Sequence, residues 1–179
     1  MKRVFYFLIA IIVVVQLFSF TACGPAERYA NVRQINAIDA TSFESTMTKH
    51  GYRLVEHDLP DANFVEQWDA RNDSELIVYS FFRYESAEEA QAAYDWLLEA
   101  IQQAKQDSEF SGSVEFESDP VDKLTMIGEF SNFRDVSGYH AIVVVHVEDT
   151  VLTFDAKTYN EETKAELDAI LLEFNYAPL

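Results

Sequence analysis

Alternation and helical spacing divide the chain after residue 40 into short blocks. Phe43 and Met47 fall four apart behind Thr41-x-x-Glu44, a capping-box pattern, and Gly51 supplies a left-handed stop; the spacing predicts a first helix over about 42–50. Tyr52 to His57 alternates weakly and reads as a strand ended by Asp58 and Pro60. Phe64 to Arg71 sets Phe64, Glu66, Trp68 and Ala70 on one side with polar groups opposite, the pattern of an edge strand, and Asn72-Asp73-Ser74 reads as a turn. Leu76 to Tyr84 is apolar on both faces, which predicts a central strand. Behind Ser86-x-x-Glu89, Ala87, Ala90, Tyr94, Leu97, Leu98 and Ile101 hold helical spacing, predicting a second helix over about 87–106.

Residues 107–120 are rich in Ser, Gly and Asp and read as a loop with a short strand at Ser113–Glu117. Leu124–Phe133, Tyr139–Val147 and Val151–Lys157 read as strands, the middle one the strongest in β propensity. Asn160 caps a third helix carrying Leu167, Ile170, Leu171 and Phe174, after which Asn175-Tyr176 echoes Gly51-Tyr52. The expected order is α-βββ-α-βββ-α: an α+β fold, an antiparallel meander with its helices on one face. Two strand triplets, each followed by a helix, suggest a divergent duplication, and two small three-stranded sheets are the alternative. Either way the expectation is one domain over 41–179.

The first 22 residues follow a different rule. Lys2 and Arg3 precede an apolar run from Val4 to Val15, and Phe20-Thr21-Ala22 leads into Cys23, the only cysteine in the chain. A cationic start, an apolar centre and small residues before a cut site are the parts of a secretory signal. Phe20-Thr21-Ala22-Cys23, followed by Gly24, resembles the lipobox of bacterial lipoproteins, although leucine is commoner than phenylalanine at the first position. The resemblance covers this segment alone. It implies cleavage after Ala22, diacylglycerol on the Cys23 thiol with palmitate among the acyl chains, and a location on the outer side of a cell membrane. Residues 23–40, with Pro25 and small or polar neighbours, then form a tether. An uncleaved span from Val4 to Ala22 is the competing reading, and it too exports the remainder. The chain as a whole looks like the small lipoproteins of Gram-positive bacteria, a likeness that carries no activity with it.

Charge narrows the partners. Thirteen basic against thirty-one acidic residues give −18, and loss of Lys2 and Arg3 makes the product more negative still. Such a surface repels phosphate backbones, so nucleic acid is excluded as a partner class. A single cysteine excludes an internal disulfide framework and a thiolate zinc site. The histidines are His50, His57, His140 and His146; the last two share a strand face about 20 Å apart, too far to hold one ion. No HExxH, CxxC, EF-hand loop, GxSxG, GxGxxG or Walker sequence occurs, so neither metal nor cofactor is expected. Glu115, Glu117, Asp119, Glu148, Asp149, Glu161 and Glu162 read as solvated acidic surface.

Trp68, on a half-polar strand, is the candidate ligand-contacting aromatic, while Trp96 lies beside the core stripe of its helix. These observations favour a non-enzymatic binding or interaction module, moored to the membrane through Cys23 and meeting a protein or cell-envelope partner. The alternative is an extracytoplasmic hydrolase assembled only in the fold. A pocket in which His57 or His140 meets a carboxylate and a hydroxyl would be its mark. A two-lobed solute receptor needs a longer chain.

Overall fold

A strand that is apolar on both sides needs cover on both sides, and this requirement organises the molecule. The computed structural model describes residues 35–57, 64–72, 76–119, 121–133 and 136–179. The leader, Cys23, most of the tether, Asp58, Pro60, Asp73 and Ser74 lie outside them. The described strands are β1 (Arg53–Glu56), β2 (Phe64–Arg71), β3 (Ile77–Tyr84), β4 (Phe110–Glu117), β5 (Asp122–Phe133), β6 (Val136–Val147) and β7 (Thr150–Ala156). They form one sheet in the order β1-β2-β3-β7-β6-β5-β4, antiparallel at every step. The helices are α1 (Ala40–Lys49), α2 (Ala87–Gln106) and α3 (Glu161–Glu173).

The coarse class, α+β with an antiparallel sheet, is as the sequence predicts; the arrangement differs in four respects. First, the segment expected to be mostly loop is a full eight-residue strand, β4, so the order is α-βββ-α-ββββ-α. Pairing with β5 from Phe110↔Phe130 to Glu117↔Lys123 overrides the weak local propensity of Ser and Gly.

Second, the helices cover both faces. Phe43 and Met47 of α1, with Leu167, Ile170 and Leu171 of α3, pack on Tyr79, Phe81, Val143 and Phe154. Ala90, Tyr94, Ile101 and Ala104 of α2 pack on Leu124, Met126, Val144 and Val151, from the opposite face. A single helical layer would leave this second apolar set in water, at roughly 25 cal/mol per Å² exposed. Third, β2 is interior to β1 and is not an edge. Fourth, the sheet lacks the two-fold symmetry that a duplicated unit would carry. A two-fold axis relating the antiparallel neighbours β3 and β7 would keep faces, yet α2 and α3, which follow them, lie on opposite ones.

Local signals at the helix ends explain the boundaries. The carboxylate of Asp39 accepts from the Ser42 amide at 2.7 Å, so α1 starts earlier than the Thr41 pattern suggests. Ser86 caps α2 through the Glu89 amide, and Asn160 shares a reciprocal capping box with Thr163 on α3. The echo between Gly51-Tyr52 and Asn175-Tyr176 is structural. Gly51 (φ 82°) and Asn175 (φ 63°) are both left-handed, and the following tyrosine amides reach back to Met47 O (2.9 Å) and Leu171 O (2.8 Å). Both tyrosine rings are thereby turned into the core, and the Tyr52 hydroxyl donates to Glu166 on α3. Ile35 and Ile38 pack on the same core ahead of α1.

Gly112 faces Gly128 across β4 and β5 beneath the ring of Phe110, which packs on Phe130. A Cβ on Gly128 would press into the Ser111 carbonyl and lie 2.7 Å from the Gly112 Cα, both backbone atoms that cannot swing away. Gly128→Ala is therefore expected to cost about 1–3 kcal/mol, read as a lowered urea midpoint with an unchanged slope.

Candidate functional site

α2 leaves the end of β3 at Tyr84 and delivers the chain to the start of β4 at Phe110, so it crosses its face of the sheet obliquely. The part of that face away from its apolar stripe is polar. Register places Arg71, Val78 and Asp155 in one row across β2, β3 and β7, with Asp69, Ser80 and Thr153 in the next. His57, just beyond β1, and His140, on β6, border this shelf.

Asp69 is its centre. Its buried carboxylate accepts from the Ser80 hydroxyl at 2.7 Å and from Arg71 Nη2 at 2.8 Å, and His57 Nε2 lies 3.0 Å away. Burial pushes this carboxyl up, but the hydrogen bonds from Ser80, Arg71 and His57 outweigh it and hold the group below the ordinary aspartate value. At β6 and β7, His140 Nδ1 meets Asp155 at 2.7 Å while its Nε2 faces the Ser137 carbonyl at 3.3 Å. His146 repeats the arrangement with Asp122 (3.1 Å) and the Glu148 carbonyl (3.0 Å), its ring stacked on Tyr94 of α2.

Chemically these clusters hold the sheet together. Activating a serine requires the order hydroxyl–imidazole–carboxylate, with the imidazole taking the proton. Here the order is Ser80–Asp69–His57: the hydroxyl is given to the carboxylate and gains no base. His140 and His146 have protein acceptors at both ring nitrogens, which leaves neither with a nitrogen turned to a substrate. An open hollow of about 390 Å³ beside α2 is lined by Ala87, Glu88, Gln91, Ala92 and Asp95, without a hydroxyl or an imidazole. Among the described residues, no three His, Cys, Asp or Glu side chains converge to hold a metal ion.

The aromatic candidates exchange places. Trp68 is half-buried against the core on the α1–α3 side, and its indole donates to Glu66 at 3.0 Å. Trp96, expected beside the stripe of α2, is 55% exposed. His50 and Lys49 both engage Glu173, tying the end of α1 to α3.

Searches against protein-family models, curated proteins and solved structures find no match. Among the described residues no helix is long and apolar enough to cross a membrane.

The Asp69 cluster is the feature that sequence reasoning missed. Its only linear trace is Asp69-x-Arg71, two residues apart on one strand face. Ser80 and His57 join it through strand pairing alone.

Proposed function

We propose that the protein is a lipid-anchored, non-enzymatic binding module on the outer side of a cell membrane. The observation that carries this reading is the N-terminal sequence: Lys2-Arg3, an apolar run, and Phe20-Thr21-Ala22 before the sole cysteine, Cys23. The folded part supports the second half of the reading, because the polar side chains of its sheet surface are bonded to one another in an order that activates none of them. Two acyl chains on Cys23 suffice for stable attachment, since one chain alone binds marginally at about 0.8 kcal/mol per methylene. Ile35 already packs on the body, so the eleven residues from Gly24 to Gln34 limit its distance from the anchor to about 40 Å even if fully extended.

Labelled palmitate should enter the wild-type protein in a bacterial host, and the mature chain should begin at Cys23. Cys23→Ala should abolish the label. Unchanged labelling in the variant would overturn the anchor, and a wild-type membrane form that retains Met1 and carries no lipid would overturn it in favour of the uncleaved span.

A further inference from the structure

The two edges of the sheet are unlike. β1 contributes four residues, with α1 packed beside it, whereas β4 contributes eight in uninterrupted register with β5. A long edge strand presents a row of N–H and C=O groups, and proteins usually blunt it with proline, lysine, a bulge or a short length. β4 has no proline, lysine or bulge, its charges being Glu115 and Glu117 alone, and among the described residues nothing pairs with its outer side.

The hydrogen-bond phase of this edge follows from one bond. The Ser131 amide donates to the Glu109 carbonyl at 2.7 Å, which makes Glu109 and Ser131 a bonded pair in the antiparallel ladder. Odd-numbered residues of β4 therefore bond β5, while Gly112, Val114 and Phe116 turn their N–H and C=O groups outward. Side chains divide by the same parity. Val114 is half-buried on the face that carries α2, and Phe116 stands beside it 52% exposed. Ser113, Glu115 and Glu117 are exposed on the opposite face, and Glu129 is exposed next to Ser111 on β5. Glu117 is partly neutralised by Lys123 at 3.1 Å, a buried amine that the Ala177 and Pro178 carbonyls also hold. Glu115 and Glu129 have no ion pair among the described residues.

We infer that β4 accepts an extended segment of a partner protein as an eighth strand, and that this segment alternates apolar with Lys or Arg residues. Its apolar side chains would meet Val114 and Phe116 on one face, and its cations would meet Glu115 and Glu129 on the other. Backbone bonds to Gly112, Val114 and Phe116 supply the pairing, and alternate side chains supply the selection. A second copy of this chain is the wrong occupant, since it would bring an identical acidic edge in a molecule of net charge −18. This inference deepens the binding-module reading by naming the partner's chemistry, and it is independent of the lipid anchor.

The test uses the full chain in detergent and a nine-residue peptide alternating valine and lysine. Binding should shift the amide resonances of Gly112, Val114 and Phe116. It should weaken at least tenfold when the peptide is N-methylated on its valines, the residues whose N–H groups face β4 when their side chains meet Val114 and Phe116, and again with Glu115→Lys, whose unchanged amide spectrum elsewhere would verify folding. Equal binding of the N-methylated peptide would reduce the effect to charge attraction and overturn the inference. So would shifts located away from β4, or a wild-type dimer in sedimentation that Glu115→Lys alters.

Capture from solubilised membranes separates the two readings. Equal recovery of partners by wild type and Glu115→Lys retains the binding module and removes β4 from it. Recovery of nothing, with the peptide result positive, removes the module reading and leaves β4 as a pairing surface for such strands.

Discussion

Truncating Phe43 to alanine is expected to lower the unfolding free energy by about 3–5 kcal/mol, the range for large aromatic truncations in a close-packed interior. Phe43 is fully buried on α1, with ring centroids 5.5 Å from Phe81 on β3 and 6.3 Å from Phe174 at the end of α3. One side chain thus fastens two helices to the centre of the sheet. Its loss removes apolar burial and two aromatic contacts, and the rigid strand beneath cannot collapse to fill the space. Trp96→Ala is the control. That ring is larger but 55% exposed on the outside of α2, so its removal should cost clearly less than the loss of Phe43. Urea unfolding of the two variants at pH 7 reads the contrast. A loss below about 1 kcal/mol for Phe43→Ala would mean that α1 is not docked through this ring.

What could be read from the sequence follows from how local each signal is. α2 was legible to the residue, because Ser86, the spacing of Ala90, Tyr94 and Ile101, and the absence of Pro and Gly all lie within one segment. β3 was legible as a central strand and β6 as the strongest strand because Tyr79, Phe81, Val143 and Val145 alternate with further apolar residues. The same fact held the clue to the layering. A sheet apolar on both faces at β3, β6 and β7 demands helices on both, and only the assignment of α2 to the second face needed the connections.

β4 escaped because Ser111, Gly112 and Ser113 have weak strand propensity on their own. Partners in β5, fourteen or more residues ahead in the chain, impose the extended form. Asp39 displaced Thr41 as a cap because a carboxylate stood within reach two residues earlier. The possible chemistry was less legible still. Absent motifs pointed away from catalysis, but that the Ser80 hydroxyl is committed to a carboxylate instead of an imidazole is a fact of pairing between β2 and β3. An open edge, likewise, is a property of sheet order, which periodicity does not carry.

Asp69→Asn should destabilise the protein by about 2–3 kcal/mol at pH 7, by an effect of charge and hydrogen bonding with almost no change of volume. The carboxylate accepts from Ser80 through one oxygen and from Arg71 and His57 through the other; an amide that turns its oxygen to Arg71 and His57 and its NH2 to the Ser80 hydroxyl keeps contacts at these positions but removes the negative charge that strengthens the Arg71 bond. Loss of charge from these hydrogen bonds sets the scale, and the partial exposure of Arg71 and His57 keeps the cost below that of a fully buried pair. The pH dependence follows from the depressed carboxyl. A folded-state pKa below the unfolded value means the unfolded chain binds the proton first. The stabilisation is therefore complete above the unfolded value of about 3.9 and fades as pH falls through the lower folded value. Urea midpoints of wild type and Asp69→Asn should differ at pH 7 and converge as pH drops below 4. A gap that persists undiminished into strong acid would show that the aspartate contributes shape and not charge, and that the Ser80–Asp69–Arg71 contacts do not hold β2 to β3.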